Sequence, residues 1–267
     1  MGTLGHPASV RNKPVPKAEP TNAKEAADKK NVAVAELEAK YVALVAKLPP
    51  EEQAWERVLQ ENLGSFYLPL YKNGRVKGSA QAWDYVKDVP GLPRVLLIGD
   101  SVSRGYTLAA RKALAGKANV HRAPENCGPS ANGLKKLDIW LAGAKWDVIH
   151  FNFGIHDRST PPADYQQRLE TLVARMKATG AKVIWASTTP VPADTKDGPK
   201  AAEQIVEKNR IAAEVMAKQG VAIDDLFTFI TPHLAKVQNP KDVHFNGDGY
   251  DLLGKQVAEM IGQTLSK

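Results

Sequence analysis

The sequence predicts an α/β fold, a three-layer sandwich in which helices cover both faces of a central, mostly parallel five-stranded sheet. Five short apolar runs, typical of strands buried on both faces, lie at residues 94–98, 119–122, 147–152, 182–187 and 221–224. Helical periodicity separates these runs, most clearly at residues 163–179, where Leu169, Leu172 and Met176 share a face. Strands that alternate with helices favour a parallel sheet with right-handed crossovers.

The chain divides into three predicted segments, a flexible leader, an N-terminal extension packed on the core, and the α/β domain, at residues 1–30, 31–92 and 93–267. The leader is rich in Pro, Ala, Lys and Asn and has no apolar periodicity. In the extension, apolar residues recur at helical steps from Val34 to Leu48, and Pro50 is suited to begin a second helix. Residues 64–92 predict an irregular wrapping segment. The last helix is predicted from Gly249 onward.

Composition excludes several classes of protein. The 267 residues are 43% hydrophobic and 24% charged, which is ordinary for a globular chain and sufficient for one α/β domain. No run approaches the roughly 20 apolar residues of a membrane-spanning helix. The net charge is +7, but no basic stripe interleaved with aromatic residues predicts nucleic-acid binding. The single cysteine, Cys127, excludes an internal disulfide and resembles a small core residue.

The sequence leaves the compartment and the oligomeric state open. Its start has no apolar run of signal-peptide type. We expect a periplasmic or extracellular protein if a signal peptide has been removed, and a cytoplasmic protein otherwise. A single cysteine fits a reducing compartment without excluding export.

Ser101 is the first candidate for chemistry, because functional sites of parallel sheets lie at the carboxyl ends of the strands. It follows the first predicted strand, at a turn where a hydroxyl is presented beside free helix amides. A phosphate-binding loop is one alternative, although residues 99–105 match neither the dinucleotide glycine pattern nor the Walker lysine pattern. A simple helix cap through the Ser101 hydroxyl is the other.

Three further segments lie where this topology predicts functional loops. Asp242 and His244 precede the last helix. His244 would supply a base and Asp242 the acceptor that a base needs, and the alternative is that His244 is an ordinary surface residue without a catalytic role. Residues 126–130 follow the second predicted strand, and residues 152–157 follow the third. We expect all of these segments to meet at one edge of the sheet.

Over residues 93–265 these segments, in this order, resemble the SGNH (GDSL-like) hydrolase superfamily. The sequence Gly-Asp-Ser at residues 99–101 resembles the family's nucleophile block, and residues 154–157 stand where the family shows Gly-x-Asn-Asp. The resemblance implies a flavodoxin-like SGNH hydrolase fold. It implies a catalytic triad of Ser101, Asp242 and His244, an oxyanion hole of Ser101, Gly128 and His156, and supporting roles for Asp100, Asn152, Gly154 and Asp157.

Two departures from the family pattern bear on this site. His156 stands where the family has an asparagine, and an imidazole N–H is also able to donate to an oxyanion. The family separates its last Asp and His by two residues, whereas one residue separates Asp242 from His244, and Lys241 stands at the usual acid position. The arrangement resembles a subgroup of carbohydrate O-acetylesterases.

The resemblance implies a serine esterase that removes short acyl groups, above all acetyl, from a small-molecule or carbohydrate ester. An acyltransferase and a non-catalytic binding protein of the same fold are the alternatives. We expect no cofactor and no metal, because His150 and His156 lack zinc-type ligand spacing and His150 is typical of a core histidine. Trp83 and Tyr85 are the aromatic residues best placed to contact a substrate.

Overall fold

The computed structural model describes residues 20–143, 145–194 and 197–267. Residues 1–19, most of the predicted leader, lie outside the described residues. The strands are β1 (Arg94–Ile98), β2 (Asn119–Arg122), β3 (Val148–Phe151), β4 (Lys182–Ala186) and β5 (Ala222–Asp224). The helices are α1 (Pro20–Val45), α2 (Pro50–Asn62), α3 (Gly64–Val76), α4 (Ser101–Ala113), α5 (Ser130–Leu141), α6 (Pro162–Ala178), α7 (Gly198–Gln219), α8 (Leu226–Ile230), α9 (Leu234–Val237) and α10 (Gly247–Leu265).

The five strands form one parallel sheet in the order β2-β1-β3-β4-β5, which confirms the predicted fold class. In the register, Leu96 of β1 lies between His121 of β2 and Ile149 of β3. One face of the sheet packs against α5, α6 and α7, and the other packs against α4, α8 and α10. Each strand begins and ends within one residue of its predicted bounds. The prediction is this accurate because a strand buried on both faces has a continuous run of apolar residues, whose ends mark the ends of the strand.

The extension has its own packed cluster, which contains Tyr41, Leu59, Tyr71 and Trp83. At its centre the buried carboxylate of Glu56 accepts hydrogen bonds from the Tyr41 hydroxyl at 2.6 Å and the Tyr71 hydroxyl at 2.8 Å. A buried carboxylate is tolerated when its oxygens are hydrogen-bonded in this way. The division of the chain into domains stays a prediction.

The helix α3 differs from the irregular segment that the sequence predicts for residues 64–92. Pro69 lies inside this helix and Gly74 lies near its end, and both residues lower intrinsic helix propensity. Tertiary packing overrides that propensity, since Tyr71 is buried in the extension cluster and the side chain of Gln81 lies so close to Gly74 that a Cβ there would clash with it. The first helix also begins earlier than predicted, at Pro20.

Residues 81–92 run along β2, which is the edge strand of the sheet. The Asn119 side chain accepts from the Val89 N–H at 2.8 Å and donates to the Val89 carbonyl at 3.1 Å. The Trp83 indole N–H donates to the Ala123 carbonyl at 3.2 Å, and Arg111 donates to the Gln81 carbonyl at 3.2 Å. The extension therefore covers an edge that would otherwise be open to pairing with another chain. Within the described ranges, no helix is long and apolar enough to cross a bilayer.

The helices α4 and α10 pack closely because glycines face the contact. At Gly254 of α10, an added Cβ would lie 2.8 Å from the Ala110 nitrogen and 2.9 Å from the Tyr106 carbonyl oxygen, both in α4. At Gly105 of α4, an added Cβ would overlap the ring of Tyr250 in α10. Ser101 is the first residue of α4, and His244 shortly precedes α10. The distance between these two helices therefore affects the distance between the two candidate residues.

We expect Gly254→Ala to lower the free energy of unfolding by about 1–3 kcal/mol, because the added methyl overpacks the α4–α10 contact. Gly262→Ala is the matched control on the same helix. Nothing lies within 4 Å of a Cβ at Gly262, so this variant should gain up to about 1 kcal/mol from better helix propensity. Urea denaturation of both variants measures the difference, and equal stabilities would contradict the packing account.

Candidate active site

Ser101 is the first residue of α4 and directly follows the turn after β1. The Asp100 carboxylate caps the helix by accepting the Val102 N–H at 2.9 Å. The Ser101 hydroxyl therefore does not cap the helix. It lies 2.7 Å from Nε2 of His244, a residue 143 positions further along the chain.

His244 lies between Ser101 and Asp242. Its Nδ1 is 2.7 Å from Oδ1 of Asp242, and the same oxygen accepts the His244 backbone N–H at 3.3 Å. Burial acts to raise the pKa of Asp242, but the hydrogen bonds from the side chain and backbone of His244 outweigh it and hold that pKa below its ordinary value. Asp242 is thus an ionised acceptor that orients the imidazole with Nε2 toward the serine.

A short hairpin explains how Asp242 reaches the ring across one intervening residue. The Asn246 N–H donates to the Val237 carbonyl at 2.9 Å, the Asn239 N–H donates to the His244 carbonyl at 2.9 Å, and the Asp242 N–H donates to the Asn239 carbonyl at 3.2 Å. At the tip, Lys241 has φ +56°, the one positive φ among the described non-glycine residues. This left-handed turn directs the following carboxylate back toward His244.

The loop that contains Gly128 is tied to the turn before Ser101. The Cys127 N–H donates to the Gly99 carbonyl at 3.1 Å, and Gly128 follows with φ +63°, in the region that favours glycine. Within the described residues, the backbone N–H groups of Ser101 and Gly128 have no hydrogen-bond acceptor. Two backbone donors are therefore free near this turn, one on Ser101 itself and one in the loop that is tied to Gly99.

His156 lies in a single 3₁₀ turn, Ile155–Asp157, after β3. It is exposed, and its ring has no hydrogen bond to any residue in the described part of the chain. The next residue, Asp157, is fully buried and accepts the Ser130 N–H at 2.8 Å and the Ser130 hydroxyl at 2.6 Å. Asp157 therefore joins the His156 turn to the loop that carries Gly128.

Asn152 and Gly154 hold this turn against the end of β4. The Asn152 amide donates to the Ala186 carbonyl at 2.8 Å and to the Thr188 hydroxyl at 3.0 Å. A Cβ at Gly154 would overlap the Thr188 hydroxyl, so the close approach requires glycine. These contacts hold the turn in place, and the supporting roles that the sequence resemblance implies for both residues stay a prediction.

An open depression of about 350 Å³ lies beside Asp242. Its wall carries several charged side chains, among them Arg158, Asp197 and Lys241, together with Val191 and Val243. Such a wall is suited to a polar ligand.

The sequence signature described as the GDSL-like Lipase/Acylhydrolase family matches residues 97–252. The chain belongs to this family. The match begins within β1 and ends within α10, so it spans Ser101, Gly128, His156 and His244 and leaves the extension outside. The sequence-based assignment to the SGNH (GDSL-like) hydrolases is thereby confirmed, and the roles of individual site residues stay a prediction.

Solved structures share the fold at low sequence identity. A lipase/acylhydrolase from Enterococcus faecalis is 24% identical with a TM-score of 0.57, over 64% of this chain and 96% of that one. An acetylxylan esterase from Geobacillus stearothermophilus is 14% identical with a TM-score of 0.54, over 64% and 94%. A further acetyl xylan esterase is 12% identical with a TM-score of 0.56, over 63% and 99%. No curated protein sequence matches this chain.

Sequence reasoning missed one residue of this GDSL-like acylhydrolase that positions the site. Arg122, at the end of β2, is fully buried and donates to the carbonyls of Gly99 and Asp100 at 2.9 Å each, and also to the Ser103 hydroxyl. It therefore holds the backbone that immediately precedes Ser101. The sequence did contain one indication of this role: Arg122 is a charged residue at the end of a buried strand, and neither adjacent residue is acidic.

Other candidate residues take structural positions. Cys127 is buried, and burial raises the pKa of its thiol to about 12, which disfavours the thiolate. His150 is fully buried in β3, with Nε2 3.0 Å from Asp224, as expected for a core histidine. Trp83 is only 3% exposed and packs in the extension cluster, so the expectation that it contacts a substrate at this site is wrong. Tyr85 lines a cavity away from the triad.

We expect Lys241→Val to lower the free energy of unfolding by about 1–3 kcal/mol, because a β-branched residue resists the left-handed backbone at the hairpin tip. Lys241→Gly removes the same charge and should stay within about 1 kcal/mol of the native protein, since relief of strain offsets the greater freedom of the unfolded chain. Thermal and urea unfolding of the two variants provide the measurement. A valine variant as stable as the glycine variant would refute the strained turn.

Proposed function

We propose that this chain is a serine esterase that hydrolyses short-chain acyl esters, in particular acetyl esters of a carbohydrate, through an acyl-enzyme. One observation carries the proposal: two successive 2.7 Å contacts connect Asp242 to His244 and His244 to Ser101. A hydroxyl becomes an effective nucleophile when an oriented base lies within hydrogen-bond reach. The family assignment is consistent with an ester hydrolase.

The proposed reaction has two acyl-transfer steps. His244 Nε2 takes the proton of the Ser101 hydroxyl while the oxygen attacks the ester carbonyl, and Asp242 stabilises the imidazolium that forms. The same proton is then given to the departing alcohol, which leaves an acyl-enzyme. Water, deprotonated by His244, attacks the carbonyl of the acyl-enzyme. The bond from that carbon to the Ser101 oxygen then breaks, His244 returns the proton to this oxygen, and the carboxylic acid is released.

The oxyanion of each tetrahedral intermediate accepts hydrogen bonds from three proposed donors, the N–H groups of Ser101 and Gly128 and the ring of His156. These donors have no competing partner in the described parts of the chain. Donors that are already in position stabilise the charge that develops in the transition state without reorganisation. Asp157 and Arg122 keep the backbone segments of these donors in place.

Two features support a short acyl group and a polar alcohol. A cavity lined by Asp100 and Val102, the chain neighbours of Ser101, and by Thr188 holds only about 10 Å³, so the interior next to this turn has no room for an alkyl chain. The depression beside Asp242 carries charged side chains, which suits hydroxyl-rich ligands. Two of the structures with this fold are described as acetyl xylan esterases, a substrate class that we propose here in the broader form of an acetylated carbohydrate.

We expect p-nitrophenyl acetate to be hydrolysed faster than p-nitrophenyl octanoate, because the cavity lined by the chain neighbours of Ser101 is too small for an alkyl chain. Ser101→Ala should reduce the rate by at least about 10³-fold, since it removes the nucleophile. Release of p-nitrophenol measures both effects, and product analysis with competing sugar alcohols separates hydrolysis from acyl transfer. Equal slow rates in the native protein and the variant would indicate a non-catalytic protein.

We expect His156→Ala to lower kcat by about 10²–10³-fold, because it removes one donor to the oxyanion. The exposed ring makes no bond within the described chain, so the midpoint of thermal unfolding should not change. His233→Ala, at another exposed histidine, is the control for general effects of removing an imidazole. A near-native kcat for His156→Ala would remove this residue from the oxyanion hole.

A further inference from the structure

A cavity of about 390 Å³ lies between the extension and the edge of the sheet, and we call it the edge cavity. The extension contributes Trp55 and Tyr85 to its wall, and the α/β domain contributes Trp140 and Trp146. None of the residues proposed for the triad or the oxyanion hole lines it. Its volume is in the range of small-molecule sites, and its wall is mostly apolar and aromatic, as is usual for such sites.

The carboxylates of the edge cavity are already paired with cations. Asp88 lies 2.9 Å from Nε of Arg94 and 2.7 Å from Nε2 of His121. Asp84 lies 3.7 Å from Arg75 and accepts the Gln81 N–H at 2.6 Å. The charge of Asp84 also acts on Arg111, and one of its buried oxygens has no hydrogen bond, but within the described residues the two groups lie beyond salt-bridge distance of each other.

Two arginines of the same wall have no carboxylate partner among the described residues. Arg111 of α4 donates through Nε to the Val120 carbonyl at 2.9 Å and through Nη1 to the Gln81 carbonyl at 3.2 Å, which leaves Nη2 without an acceptor in that part of the chain. Arg122 is 2% exposed, its hydrogen bonds go to carbonyls and hydroxyls, and its buried Nε has no partner.

Without a bound anion, these two guanidinium groups carry an unfavourable desolvation free energy. Burial lowers the pKa of Arg111 to about 10, and the charge of Arg122 acts in the same direction while that of Asp84 opposes it. Burial also lowers the pKa of Arg122. Buried charges in proteins are normally paired, because desolvation of an unpaired ion is unfavourable. An anionic group bound in the edge cavity would supply the missing partner.

We propose that the edge cavity binds a small aromatic carboxylate, with the carboxylate on Nη2 of Arg111, near the buried charge of Arg122, and the ring between Trp55, Tyr85 and the tryptophans of the sheet side. Arginine binds carboxylates through strong, charge-assisted hydrogen bonds. A sugar is a poorer fit, because the wall is mostly apolar and aromatic and sugar hydroxyls would lose hydrogen bonds to water on entry. This site lies apart from the proposed triad and does not require esterase activity, although Arg122 also holds the turn before Ser101.

The first test is isothermal titration of the full chain with three probes. The first probe, trans-cinnamate, has both a carboxylate and an aromatic ring. Cinnamamide has the same shape without the charge, and glucuronate has the charge without the aromatic ring. We expect saturable binding of cinnamate and at least about tenfold weaker binding of the other two, since cinnamamide loses the charge-assisted hydrogen bonds and glucuronate loses the aromatic contacts. Equal affinity for cinnamamide, or tighter binding of glucuronate, would overturn the proposal.

The second test uses variants of the wall. Arg111→Gln should weaken cinnamate binding by at least about tenfold, whereas Lys112→Gln, at the exposed cation next to it, should leave the affinity unchanged. Ile139→Trp narrows the cavity from a position that is 44% exposed, so it tests the site even if Arg111→Gln does not fold. Native affinity in both wall variants, or competition between cinnamate and ester substrates, would assign the acid to the Ser101 site instead and refute the edge cavity.

Discussion

The close contact between α4 and α10 sets the distance on which the candidate chemistry depends. Ser101 begins α4 and His244 lies three residues before α10, so the 2.7 Å contact between their side chains follows from how these helices are placed. Gly105 and Gly254 allow that placement, because any side chain at either position would push the helices apart. Displacements of about an ångström are enough to disturb a catalytic geometry.

Buried polar contacts then hold the loops around this distance. Arg122 fixes the two carbonyls before Ser101, and Asp157 links the Gly128 loop to the His156 turn. These contacts run between the ends of different strands, at the edge where a parallel sheet gathers its functional loops. The buried side chains of Arg122 and Asp157 therefore hold the backbone segments on either side of Ser101 and Gly128 in place.

The extension has a separate physical role in covering the edge strand β2. By covering that edge, the extension keeps it from pairing with another chain. It also forms one side of the edge cavity, whose wall includes Arg111 and Arg122. Arg122 belongs both to this cavity and to the turn before Ser101. A single buried guanidinium thus connects two parts of the molecule that the sequence separates.

The sequence by itself determined the parallel sheet, because continuous apolar runs and helical periodicity are local patterns. It also determined the family, because the blocks around Ser101, Gly128, His156 and His244 keep a characteristic order. Only the tertiary structure decided whether Asp242 reaches His244, since this depends on the left-handed backbone at Lys241. The helix α3, the role of Arg122 and the edge cavity likewise depend on contacts between residues distant in the chain, which no local pattern records.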